Sequence, residues 1–160
     1  MKFIKTTILS KSSKTQILEL WNKEFPEQLN YQTLADFENY LSQLKDQSHI
    51  LLVDDQQNIK GWYFDFARDY ERWFAIILDV DMSGKGYGTQ LLNLGKEKEA
   101  VLNGWVIDHA NDKKRNGETY ISPLNFYLKN GFEVLANHRL ELKNLSAVKI
   151  RWENELSSNY

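Results

Sequence analysis

Apolar positions along this chain recur with two periods, and the switches between them divide it into elements. Residues 2–9 read as a first strand, and a polar stretch from Ser10 to Lys14 follows. Ile17, Leu20 and Trp21 share one face of a helix that Pro26 ends. Tyr31, Leu34, Phe37, Tyr40, Leu41 and Leu44 keep i, i+3, i+4 spacing and predict a second helix. Three runs, 49–54, 59–67 and 72–78, are separated by short polar turns and read as an antiparallel meander. Beyond a glycine-rich turn, Leu91, Leu92, Leu94, Ala100 and Val101 predict a helix starting near Thr89. Gly104 reads as a break before 105–108, a short apolar run expected to be a buried strand. A crossover of this length is right-handed and implies parallel pairing with 72–78. A polar loop, 111–119, leads to a helix that Ser122 caps, Pro123 opens and Gly131 ends in a left-handed turn. The closing strands are 132–135 and either 140–142 or 147–152. The order β-α-α-β-β-β-α-β-α-β-β predicts an α/β fold on a mixed sheet (α+β in strand arrangement), with residues 1–160 forming one domain.

Composition narrows the function. Hydrophobic residues are 42% of the chain, enough for a packed core. Twenty basic against 22 acidic side chains give a net charge of −2, which argues against a nucleic-acid partner. With no cysteine there is no disulfide, thiolate metal site or cysteine nucleophile. His49, His109 and His138 are widely spaced, so no metal is expected. No apolar run is long enough to span a membrane, and the N-terminus is a poor signal peptide, so a cytoplasmic protein is expected.

The glycine-rich turn is Gly84-Lys85-Gly86-Tyr87-Gly88, between a strand and a helix. Such a turn aligns backbone N–H groups at a helix N-terminus and suits phosphate. It does not contain the P-loop string G-x-x-x-x-G-K-[ST], and its G-x-G-x-G is not the dinucleotide fingerprint G-x-G-x-x-G. A tight connection with no ligand is the plain alternative. The stretch resembles the acyl-coenzyme A turn of the GNAT family of N-acetyltransferases, [RQ]-x-x-G-x-[GA] after a strand often ending Val-x-Pro. Leu78 stands for the Val, Val80 for the Pro, Ser83 for the Arg or Gln, and Gly86 and Gly88 for the small residues. Ser83 brings no charge there. The resemblance implies that backbone amides from Gly84 to Thr89 hold the pyrophosphate, with Lys85 adding charge.

Residues 126–132, Phe126-Tyr127-Leu128-Lys129-Asn130-Gly131-Phe132, resemble the same family's last helix and following strand. Leu124 and Leu128 read as core. The resemblance implies a GNAT-type acyl-CoA N-acyltransferase fold and acetyl-CoA as cosubstrate, its pantetheine arm lying along Leu78, Asp79 and Val80. It also implies that Tyr127 protonates the leaving thiolate. The family's Asn seven residues earlier is Tyr120 here, and Asn125 is the substitute polar contact. The first two helices would line the acceptor pocket, with Tyr31, Phe37 and Tyr40 toward it.

Acyl transfer from a thioester to an amine needs a held pair of reactants, a proton acceptor, an oxyanion donor and a proton donor. The backbone N–H of Leu78 or Val80 is the oxyanion candidate. Asp108 and His109, at the end of a predicted strand, are candidates for the base, His109 for its ordinary pKa near 6.5. His109 as an exposed loop residue, with an ordered water as base, stays open beside this. Asp65 or Asp69 near the aromatic central strands would make an acidic pocket for a small-molecule or peptide amine, and Glu71 could also recruit a cation. The expected activity is direct N-acetyl transfer in a ternary complex. The rivals are a non-catalytic acyl-CoA-binding module or sensor, and a nucleotide binder. A homodimer through an edge strand near the C-terminus fits either family reading.

Overall fold

A computed structural model describes residues 1–155. The elements run β1 (Lys2–Thr6), α1 (Lys11–Glu24), α2 (Leu34–Ser42), β2 (Lys45–Val53), β3 (Ile59–Arg68), β4 (Glu71–Leu78), α3 (Tyr87–Lys96), β5 (Val101–Val106), α4 (Leu124–Lys129), β6 (Glu133–Leu142) and β7 (Leu145–Glu153). They build one seven-stranded sheet in the order β1-β2-β3-β4-β5-β7-β6, in which only β4 and β5 are parallel. Among the described residues no helix is long and apolar enough to cross a membrane, and no three or more His, Asp or Glu side chains gather as metal ligands.

Both faces of the central strands are covered, so alternate residues enter different cores. On one face Ile17 and Trp21 of α1 and Phe37 of α2 pack on Trp62, Phe64 and Ile77. On the other, Leu91 and Leu92 of α3 and Tyr127 of α4 pack on Tyr63, Phe74 and Ile150.

Several boundaries differ from the sequence expectation for local reasons. Helix α1 starts within the polar stretch, because Ser10 Oγ accepts the Ser13 N–H at 3.1 Å and caps it. Tyr31 precedes α2, its backbone held by the Asn22 side chain through two hydrogen bonds. Gly104 does not break the chain. It lies inside β5, where a Cβ would come within 3.0 Å of the Phe74 ring. Ala100 and Val101 accordingly leave α3, and Val101 opens β5. The closing strands are one continuous β6, irregular between Leu135 and Arg139, and β7. Leu128 is exposed rather than in the core.

One irregularity positions the site. β5 pairs with β7 from Val101 to Val106, yet its register with β4 holds a single pair, Trp73 with Asn103. Beyond that pair the two strands splay.

Candidate active site

The splay exposes a strand edge. Asp79 N–H donates to Lys60 O at 2.9 Å, continuing the β3–β4 ladder. Antiparallel ladders alternate, so the N–H and C=O of Ile76 and Leu78 point away from β3, into the gap toward β5.

At the end of β4 the chain makes a single turn of 3₁₀ helix, Val80–Met82. The Asp79 carboxylate caps it through the Asp81 N–H at 2.9 Å and receives Lys23 Nζ at 2.7 Å. Burial works to raise this carboxyl's pKa, but those hydrogen bonds and the charges of Lys23 and Lys60 hold it below the usual range. The glycine turn then enters α3. Gly84 and Gly86 have φ of +73° and +84°, which side chains rarely adopt. No side chain caps α3 and its first turn holds no acid. The first backbone bond back into the turn is Gln90 N–H to Gly86 O, so the N–H groups of Tyr87, Gly88 and Thr89 have no intrahelical acceptor. Gly88 lets α4 close in, since a Cβ would stand 3.2 Å from the Phe126 ring.

Helix α4 presents Tyr127. Ser122 Oγ accepts the Leu124 N–H, and Phe132 N–H returns to Tyr127 O around Gly131, with φ +88°. Tyr127 is buried against the rings of Phe74, Phe126 and Phe132. Its hydroxyl forms no hydrogen bond among the described residues. Burial, with a smaller contribution from Tyr120, raises its pKa well above the ordinary phenol value.

Two cavities meet here. A cleft of about 670 Å³ runs from the glycine turn along Leu78 and Val80 to Tyr127. A chamber of about 540 Å³ lies toward α1 and α2, walled by aromatic rings that include Trp21, Tyr31, Tyr40, Phe64 and Trp73. Ile76, Tyr120 and Tyr127 line both. Burial, then the charge of Asp112, pushes the Tyr120 hydroxyl up to about 12.

The cleft gathers Leu78, Val80, Ser83, Gly84, Gly86, Tyr87, Gly88, Thr89 and Tyr127. It does not gather the remaining candidates. Lys85 and Asn125 are exposed to solvent off its wall, and Asp79 is buried beneath the turn on its lysines. Asp108 is held by Arg139 through two hydrogen bonds, first of the causes that lower its pKa. His109 accepts the Asn111 N–H and lies 3.9 Å from Asp112, so Asp108 does not orient it. Neither lines either cavity. Val80 N–H already donates to Glu24 Oε2 at 2.8 Å, leaving Leu78 as the free oxyanion candidate.

The acceptor side also departs from expectation. Phe37 is fully buried and does not line the chamber. Asp65 faces the opposite core, bound to the Tyr63 hydroxyl and Arg72, Asp69 sits in the β3–β4 turn, and Glu71 is tied to Arg151. The chamber is therefore aromatic without being acidic. Sequence reasoning missed Glu24 and Lys114, which pair at 3.0 Å on the cleft wall. The available signal was a glutamate on the apolar face of α1, three residues after Trp21.

No protein-family model matches the sequence, and no curated protein is detectably similar to it. Solved structures match along nearly the whole chain. An aminoglycoside 6′-N-acetyltransferase complexed with coenzyme A aligns with TM-score 0.71 and 12% identity, over 96% of this chain and 97% of that one. A GNAT superfamily phosphinothricin acetyltransferase from Sinorhizobium meliloti, in complex with acetyl-CoA, aligns with TM-score 0.66 and 13% identity, over 96% and 89%. A mutant of the spermidine N-acetyltransferase from Vibrio cholerae gives TM-score 0.65 and 16% identity, over 96% and 95%. The chain has the fold of the GNAT acetyltransferases.

Proposed function

We propose that this protein is an acetyl-CoA-dependent N-acetyltransferase that moves an acetyl group directly to a primary amine in a ternary complex. The observation that carries this reading is the meeting of two cavities at Tyr127, one along an open helix N-terminus and a free strand edge, the other aromatic. The cleft fits coenzyme A. Three N–H groups at the start of α3, without a partner among the described residues, suit a pyrophosphate, and the open edge of Ile76 and Leu78 suits the amides of a pantetheine arm. Acetyl-CoA supplies an already activated thioester.

The chain's own residues do the rest. The walls hold both reactants at one point, which contributes about 7–11 kcal/mol to barrier lowering. Leu78 N–H stabilises the charge that develops on the carbonyl oxygen. Tyr127, kept protonated by burial, donates its hydroxyl proton to the departing sulfur. With Asp108 and His109 off both walls, we assign proton removal from the amine to water in the cleft. The absence of cysteine removes a cysteine-bound acyl-enzyme and favours direct transfer.

Thermal unfolding with acetyl-CoA, coenzyme A and ATP tests this. At 100 times its dissociation constant a ligand stabilises by about 2.7 kcal/mol, which for this size raises the Tm by roughly 5–10 °C. We expect the rise with both thioester and free coenzyme A and not with ATP. No rise at millimolar acetyl-CoA overturns the reading. A rise without thiol release on any amine leaves the non-catalytic acyl-CoA-binding module.

A further inference from the structure

We propose that the aromatic chamber selects amines with an apolar body and an anionic group at the far end, roughly 10 Å from the reacting nitrogen. The inference rests on the acetyltransferase reading and extends it to the acceptor.

The charge around the chamber is one-sided. Arg68 is the single charged side chain lining it among the described residues. Its guanidinium lies 4.9 Å from the Phe66 ring centre and 5.4 Å from that of Trp73, and it forms no ion pair or hydrogen bond among the described residues. Lys149 Nζ, from β7, lies 5.1 Å from the same Trp73 ring. Of the nearby acids, Asp65 is paired with Arg72, Glu71 with Arg151 and Asp108 with Arg139, while Asp69 is exposed in the β3–β4 turn and does not line the chamber. The Trp73 ring thus already serves two cations, and a third is repelled rather than caged. A carboxylate would instead find a planar donor fork with free N–H groups, held in place by stacking.

The strand sets the length of the acceptor. Trp73, beside Arg68, is three residues from Ile76, which the chamber shares with the cleft. At about 3.3 Å per residue that separation is roughly 10 Å. An α-amino acid reacting at its own α-nitrogen is too short to reach both ends, whereas an extended ω-amino acid spans them.

Three matched amines test the proposal: 8-aminooctanoate, octylamine and 1,8-diaminooctane, which differ only in a far end that is anionic, neutral or cationic. Affinity for the protein–coenzyme A complex is read by calorimetry, and kcat/KM by thiol release from acetyl-CoA. We expect the aminooctanoate to be favoured over the diamine by about tenfold, the scale of one charge-assisted pair. Arg68→Gln removes that advantage, and Arg68→Glu reverses it, with octylamine in the same variants as the control for folding. Equal or reversed preference in the native protein, no binding of any of the three, or a preference untouched by Arg68→Glu overturns the proposal. Failure of the underlying reading shows separately, as loss of any thermal response to acetyl-CoA before an amine is added.

Discussion

Tyr127 joins a ring packed among three others to a hydroxyl that no group among the described residues engages. Removing that oxygen therefore costs the fold little and the chemistry much. Tyr127→Phe is expected to lower kcat about 10²–10⁴-fold, with acetyl-CoA affinity within twofold of native and an unchanged Tm. A kcat within threefold of native sinks its role as the acid. His49 carries the opposite kind of information. It is fully buried, its Nδ1 accepts the Trp62 indole N–H at 3.0 Å, and its Nε2 lies 2.8 Å from Gln47 Oε1. The ring is thus neutral, with the proton on Nε2. Burial above all, and the charge of Lys98, lower its pKa from 6.5 to about 4 against the pull of Asp65. The unfolded chain takes up the proton first, so stability is complete above pH 6.5 and declines as pH falls toward 4. The loss between pH 7.5 and 5 is about 2 kcal/mol, measurable by urea unfolding, and His49→Gln should flatten it. Neither this environment nor that of Asp108 was legible in the sequence. A residue's period tells which face it takes, but its partners, such as Trp62 or Arg139, come from other strands.

Helix α3 carries glycines of two kinds. Gly86 is required for its backbone angle and meets only the end of Gln90 at 4.0 Å, in the mouth of the cleft. Gly95 is required for space, because a Cβ there would stand 2.3 Å from the buried Tyr63 ring. The two alanine variants should separate binding from stability. Gly86→Ala strains a left-handed residue by about 1–2 kcal/mol and should weaken acetyl-CoA binding at least tenfold. Gly95→Ala overpacks the core by about 1–3 kcal/mol, lowering the urea midpoint while the folded fraction keeps its affinity. A Gly86→Ala variant with native affinity would show that the turn is only a connection. The elements themselves were largely legible. The order of strands and helices, the meander and the parallel crossover all follow from apolar period and turn chemistry. Gly104 differs because a glycine either opens a turn or admits a ring, and the start of α1 differs because a polar stretch headed by a serine reads equally as a loop or as a capped first turn.

For the whole molecule, the cleft at the glycine turn was legible because it is built from local sequence. A glycine turn and the helix after it lie within a dozen residues, and their amides need no distant partner. The aromatic chamber was not, because its charge depends on which face each strand residue takes. Asp65 lies between Phe64 and Phe66 in sequence, yet alternation sends it to the other side of the sheet, and an expected acidic pocket becomes an aromatic one. The same holds for Glu24, whose partners Val80 and Lys114 are distant in the chain. The single β4–β5 pair at Trp73 and Asn103 has a mechanical consequence. The backbone ladder divides the sheet into β1–β4 and β5–β7–β6, which share one core but only a single backbone pair. A chain laid in the seam would add the missing rungs, so the cosubstrate would brace the molecule as well as react in it. On the proposed function, each turnover would then return a more compliant protein, braced again when the next donor is in place.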